Sequence, residues 1–197
     1  MFKINNPRTI IISTPRCGSS ALTEYIASFN DIIKFNEPYL KTNKGETIED
    51  FKTAITENNP FVVKIHALDF YKYNYEFPIG NYFKIRIRRK NLVEQIASTY
   101  VSIERSTWVY RKKTKLDEML VGEVDIDSKK IQRSIWIIKR YNRFVDTYDF
   151  LQDVKFDMDV WYEDIREELE HHSNISLVKT PLPSNYNDLI KSIEKYI

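Results

Sequence analysis

The residues best suited to chemistry in this 197-residue chain fall into two short segments. The first is Thr14-Pro15-Arg16-Cys17-Gly18-Ser19-Ser20, set between a short apolar run and an amphipathic one. A loop in that setting gathers unpaired backbone N–H groups and a helix N-terminus around one point, and both favour an anion. Gly18 lets the backbone approach closely, Ser19 and Ser20 offer hydroxyls, and Arg16 supplies a charged fork. The nucleoside triphosphatase pattern GxxxxGK[ST] is absent, because no lysine precedes Ser19 and the first glycine is missing. Nor does a clear apolar strand end in a magnesium-holding Asp, so ATP hydrolysis and ordinary kinase chemistry are disfavoured. A CxxxxxR phosphatase loop is excluded, since Thr23 stands where its Arg would be. The helix N-terminus should lower the Cys17 thiol pKa, but no His or Asp stands at a spacing that would make it a nucleophile. The second segment runs from Arg89 to Trp108. Arg89 ends a basic strand and Ser98 follows on the next helix, with Gln95 one turn before it on nearly the same face. A strand-end Arg with a helix Ser makes a second phosphate site.

The elements that must position these groups are legible in outline. Thr9 to Ser13 (TIIIS) is β-branched and continuously apolar, as a strand buried on both faces should be. After the loop, Ala21, Leu22, Tyr25, Ile26 and Phe29 recur at helical spacing. Phe61 to Ile65 and Tyr82 to Arg88 read as further strands. Asn91 then stands as a helix N-cap with Glu94 as its capping-box partner, and Leu92, Ile96, Tyr100 and Ile103 form a stripe. Ser128 opens a helix carrying Ile131, Ile135, Ile138, Tyr141 and Val145. Val154 to Tyr162 alternates as a strand, and an acidic helix follows. Strands alternating with helices predict an α/β fold with a mainly parallel central sheet. Two strands alternate in charge: Lys84, Arg86 and Arg88 on one, Lys155, Asp157 and Asp159 on the other. These two are expected side by side, the basic row facing the acidic row.

Composition narrows the classes. With 42% hydrophobic and 14% aromatic residues the chain can bury a core. No internal repeat or low-complexity linker divides it, so a single domain over residues 1–197 is expected. No apolar run approaches the roughly 20 residues of a membrane span. No signal peptide or membrane anchor is read from the sequence, and a cytoplasmic location is the expectation. The lone Cys17 with His66, His171 and His172 matches no zinc spacing, so no structural metal is expected. Net charge is only +2, yet Asn81 to Lys115 holds ten Lys or Arg against two Glu. A local basic segment in a balanced chain points to a small anion, with neither nucleic acid nor a membrane as partner.

Taken together, the two segments resemble the paired phosphate-binding elements of sulfotransferases that use 3′-phosphoadenosine 5′-phosphosulfate (PAPS). TPRCGSS resembles that family's 5′-phosphosulfate loop in the variant, common among bacterial enzymes such as trehalose sulfotransferase, where Arg replaces Lys. Arg89, Gln95, Ser98 and Trp108 resemble its R-x5-Q-x2-S-x9-W segment, which holds the 3′-phosphate. Asn36-Glu37-Pro38 resembles the short element after the family's second strand, and Trp161 to Ile165 (WYEDI) its late strand end. The resemblance implies a P-loop NTPase-like three-layer sandwich and a PAPS-dependent transfer of a sulfuryl group to a hydroxyl. The acceptor would be a small molecule or a carbohydrate. Arg16, Cys17, Gly18, Ser19 and Ser20 would hold the phosphosulfate, and Arg89 and Ser98 the 3′-phosphate. Arg16 and Lys64 would neutralise charge developing during transfer. The reaction requires no metal, because a sulfuryl group carries less charge than a phosphoryl group.

For the general base two candidates stand. Lys64-Ile65-His66 resembles the KTH element of the cytosolic branch, whose histidine deprotonates the acceptor, and a near-neutral intrinsic pKa suits that task. Glu37 resembles the carboxylate that bacterial members place near the acceptor. Lys64 and His66 share one strand face, so His66 should reach the loop that Lys64 reaches. Residues 104–127 form a candidate acceptor-side lid. The family's late basic loop has no counterpart here, leaving Lys179 as the candidate to close the 3′-phosphate site. A homodimer is compatible with such a chain, as are two rival functions: an inactive nucleotide-binding module and a degenerate P-loop kinase.

Overall fold

The computed structural model describes residues 4, 6–30, 32–38, 47–73, 82–105, 122–147, 155–171 and 182–197. Strand β1 (Arg8–Ser13) leads through the Thr14–Gly18 loop into helix α1 (Ser19–Asn30). Then follow β2 (Ile33–Asn36), α2 (Ile48–Thr56), β3 (Phe61–His66), α3 (Ala67–Tyr73), β4 (Phe83–Arg88) and α4 (Leu92–Glu104). Helix α5 (Ser128–Thr147), β5 (Met158–Trp161), α6 (Tyr162–His171) and α7 (Tyr186–Glu194) complete the order.

The five strands form one sheet in the order β2-β3-β1-β4-β5, every pairing parallel. Alternate residues of β1 serve opposite faces. Ile10 and Ile12 join Val63 and Ile65 under α2, α3 and the end of α5. Ile11 joins Val62, Ile85 and Ile87 under α1 and α6. This is the expected α/β sandwich with helices on both sheet faces, and burial on both sides explains why β1 has no polar alternation. A third cluster ties α4, α5 and α7 together through Ile96, Tyr100, Ile135, Ile138, Leu189 and Ile193.

The predicted charge pairing of β4 and β5 is present: Arg86 stands opposite Asp159, their side chains bonded, and Lys84 donates its backbone N–H to Asp157 at 2.7 Å. Strand β5 is shorter than the predicted 154–162, because Tyr162 already opens α6; Val154 lies outside the described residues. Helices α2, α3 and α7 were not anticipated. The first is nucleated by a capping box in which Thr47 Oγ1 accepts the Asp50 N–H and Asp50 accepts the Thr47 N–H. Among the described residues, no helix is long and apolar enough to cross a membrane, and no group of three or more His, Cys, Asp or Glu is placed to hold a metal.

In-register parallel pairing brings the carboxyl ends of the strands to one edge. Ser13 lies beside His66 and Ile87, and Asn36 beside Lys64. Chain connections leave β1 and β4 in opposite directions, so a crevice opens between their ends, where ligands of open α/β sheets bind.

Candidate functional site

Both chemistry-bearing segments meet at that crevice. The loop after β1 curls through left-handed backbone at Arg16 (φ 62°) and Gly18 (φ 78°). Glycine is required at position 18 for a second reason: a Cβ there would lie 2.3 Å from Cδ2 of Tyr162, at the start of α6. A non-glycine residue with positive φ, as at Arg16, costs energy that the surrounding contacts must offset. Those contacts come from α4. The buried Gln95 donates Nε2–H to Thr14 Oγ1 at 2.7 Å and to the Pro15 carbonyl at 2.8 Å. Arg16 donates Nε–H to Ser98 Oγ at 2.9 Å. Gln95 therefore holds the loop in shape, and Arg16 and Ser98 meet across 82 residues of sequence.

Arg89, one residue past β4, donates to the Arg16 carbonyl at 3.3 Å and lies with its guanidinium carbon 5.3 Å from the Tyr162 ring centroid. Its charge is matched by Glu94 at 2.6 Å and Glu163 at 3.5 Å, while its buried Nε–H makes no hydrogen bond. Burial, and then the neighbouring Arg89 charge, lower the Arg16 pKa to about 10. Glu94 and Glu163 thus offset Arg89, and Arg16 stands close enough to feel its charge. The expected capping box at Asn91 is half-formed: Asn91 Oδ1 accepts the Glu94 N–H at 3.0 Å, but the Glu94 carboxylate bonds Arg89. Glu163 instead receives the backbone N–H groups of Lys90 and Asn91. Tyr186 of α7 is near enough that Glu94 helps burial to raise its pKa.

Lys64, His66 and Glu37 make a second cluster on the other side of β1. Lys64 Nζ donates to Ser20 Oγ at 2.8 Å and is bonded to Glu37. His66 Nε2 lies 2.8 Å from Glu37 Oε1, and its Nδ1 lies 3.2 Å from Ser13 Oγ. The two candidate bases are thus one hydrogen-bonded pair; Lys64 reaches Ser20 at the start of α1, whereas His66, expected to reach the same segment, contacts Glu37 and Ser13. Burial pushes the Glu37 carboxyl up, but His66 and Lys64 outweigh it and hold the group well below the usual carboxylate range. Because an ionised carboxylate can only accept, Nε2 of His66 carries a proton. Glu37 is itself in left-handed backbone (φ 51°), its N–H bonded to the Lys64 carbonyl at 2.9 Å. The ring of Tyr141, on α5, closes the cluster 5.6 Å from the His66 ring.

Cys17 departs from expectation. Its side chain is fully buried with Sγ 2.9 Å from the Thr14 carbonyl, and burial raises its pKa in place of the lowering expected from a helix N-terminus. The thiol packs in the core under α1, which leaves only the Cys17 backbone N–H to serve the expected anion site. Trp108, Lys179, His172 and residues 106–121 of the expected lid lie outside the described residues. Sequence reasoning missed the part of Ser13 and the two carboxylates, Glu94 and Glu163, that neutralise Arg89. The acidic run of α6 beside the basic end of β4 was the available signal for Glu163.

No protein-family model matches this chain, and no curated protein matches it. Among solved structures, a sulfotransferase from Alicyclobacillus acidocaldarius is similar over 98% of this chain and 96% of its own, at 15% identity and a TM-score of 0.48.

Proposed function

We propose that this protein transfers a sulfuryl group from PAPS to a hydroxyl of a small-molecule or carbohydrate acceptor. The observation that carries this reading is the convergence on one point of the two elements expected to bind anions. Arg16 of the loop after β1 bonds Ser98 of α4 at 2.9 Å, and Arg89 after β4 bonds the Arg16 carbonyl at 3.3 Å. A nucleotide bearing both a 5′-phosphosulfate and a 3′-phosphate needs two such elements side by side; a nucleoside triphosphate does not. Arg16, whose pKa burial and the Arg89 charge lower to about 10, and Arg89, whose Nε–H makes no hydrogen bond although Glu163 lies 3.5 Å away, are the groups that would meet such a doubly anionic ligand.

On this reading the backbone N–H groups of Arg16 to Ser20 and the hydroxyls of Ser19 and Ser20 hold the 5′ end. Arg89 and Ser98 hold the 3′-phosphate. When bound, the nucleotide supplies an activated sulfuryl group. Lys64, already 2.8 Å from Ser20 Oγ, neutralises charge on the loop side together with Arg16. His66, whose Nε2–H is held by Glu37, would take the proton of the acceptor hydroxyl at Nδ1, in exchange for its contact with Ser13 Oγ. Glu37 alone is a weak base because its pKa is depressed, so its part within the pair is to orient the imidazole and balance its charge. The work left to the protein is mostly positioning and electrostatics.

Calorimetric titration with 3′,5′-adenosine bisphosphate, against ATP with magnesium, tests the clamp without the acceptor. Tight binding of the bisphosphate, weakened about 30-fold or more by Arg89→Ala, is the expected result. Equal or tighter ATP binding would favour a kinase-like protein and overturn the assignment. Bisphosphate binding with no turnover across a broad hydroxyl panel would make the protein a binding module.

A further inference from the structure

Helix α5 has an outward face that the reaction does not use. Ile131, Ile135, Ile138 and Val145 are buried, whereas Lys139, Arg140 and Arg143 are exposed. Trp136 is 58% exposed, and Tyr196, just past α7, is 43% exposed. With Phe144 these side chains wall a cleft of about 820 Å³, the size of a small-ligand site. Among the described residues none of its lining side chains is acidic. The Arg140 guanidinium carbon stands 5.0 Å from the Trp136 ring centroid, which keeps a cation and an aromatic face together. Lys139, Arg140 and Arg143 fall within about 6 Å of helix rise, so three positive charges converge on one short stretch. Tyr141, which touches His66, is roughly 160° around the helix from Arg143, so the cleft opens away from the candidate active site.

We infer that this cleft docks a short acidic oligosaccharide, its carboxylate or sulfate groups on Lys139, Arg140 and Arg143 and a sugar ring against Trp136. A large exposed indole bordered by cations suits a ligand that is both ring-shaped and anionic. The cleft is concave, which fits an entering chain better than the plane of a lipid surface. The whole-chain charge of +2 exerts little long-range pull on an extended polyanion such as RNA, so occupancy rests on this local cluster.

The test is calorimetry on the full chain at physiological ionic strength with a heparin-derived hexasaccharide. Maltohexaose, a short single-stranded RNA and phosphatidylserine vesicles serve as comparisons. The hexasaccharide is expected to bind, and Arg140→Ala with Arg143→Ala to weaken it at least about tenfold. Trp136→Ala should weaken it comparably and Trp136→Phe much less. Lys52→Ala with Lys155→Ala, which removes the same charge elsewhere, should leave it unchanged, as should saturating 3′,5′-adenosine bisphosphate. The proposal is overturned if the hexasaccharide fails to bind, if cleft and control variants behave alike, or if maltohexaose binds equally. Tighter binding of RNA or of vesicles would also overturn it and assign the face to that class.

Discussion

Replacing Glu37 by glutamine removes one charge from the middle of a nearly buried network and leaves its shape almost unchanged. The Glu37 side chain is 17% exposed and that of Lys64 is 7% exposed. In the wild type the carboxylate faces Lys64 Nζ and His66 Nε2 together. Deleting one partner of a buried ion pair costs about 3–5 kcal/mol; since glutamine keeps one acceptor oxygen, about 3 kcal/mol is expected for Glu37→Gln at pH 7. The pH dependence carries the sharper prediction. The folded-state pKa of Glu37 lies well below the value of about 4.3 that it has in an unfolded chain. Its stabilisation is therefore complete above the unfolded pKa and is lost as pH falls toward the folded one. Below about pH 4 the wild type should lose about 1.4 kcal/mol per pH unit through this group alone. The glutamine variant has nothing to titrate there, so the stability gap between the two proteins should shrink. Urea unfolding at intervals from pH 7 to pH 3 measures that gap. A gap below about 1 kcal/mol at pH 7, or one that stays constant from pH 5 to pH 3, would refute the reasoning.

Other perturbations probe the crevice between β1 and β4. Glu94→Gln removes the carboxylate 2.6 Å from Arg89, so affinity for 3′,5′-adenosine bisphosphate should rise by about threefold to tenfold in calorimetry. Gly18→Ala places a methyl group against Tyr162 and forces alanine into left-handed backbone; a loss of about 2 kcal/mol or more in urea unfolding is expected, with nucleotide binding abolished. Gln95→Ala leaves Thr14 and the Pro15 carbonyl without their buried donor, which should cost about 2 kcal/mol in the same assay.

Much of the sheet is legible in the sequence because local patterns are strong there. TIIIS carries the pattern of a strand buried on both faces, and the alternating charges of β4 and β5 identify partners 73 residues apart, as Arg86 and Asp159 show. The short helices are harder. Helix α2 carried a usable signal in Thr47 with Asp50 three residues on, whereas α3 follows β3 directly at Ala67. At the site, the candidate residue types were readable, and their pairing was not. Glu37 and His66 stand as separate candidates in the sequence because nothing local says that β2 and β3 are neighbours; once Asn36 lies beside Lys64, the carboxylate falls between Lys64 and His66. Likewise the cap at Asn91 is local, whereas the departure of Glu94 toward Arg89 depends on where β4 ends.

The contact of Gly18 with Tyr162 joins the first loop of the chain to its last strand–helix unit. Together with the Arg16–Ser98 bond it means that the crevice between β1 and β4 has no local folding unit of its own. The loop holds its shape only while β4, α4 and the β5–α6 unit are docked, so a partial opening at either end of the chain dissolves the crevice. An anion bound there, as proposed, would oppose each such opening, and its binding free energy would be distributed over the whole sheet. Hydrogen exchange would register this as slowing shared by β1, β4 and the start of α6, with occupancy at one point acting as a clasp on segments remote in sequence.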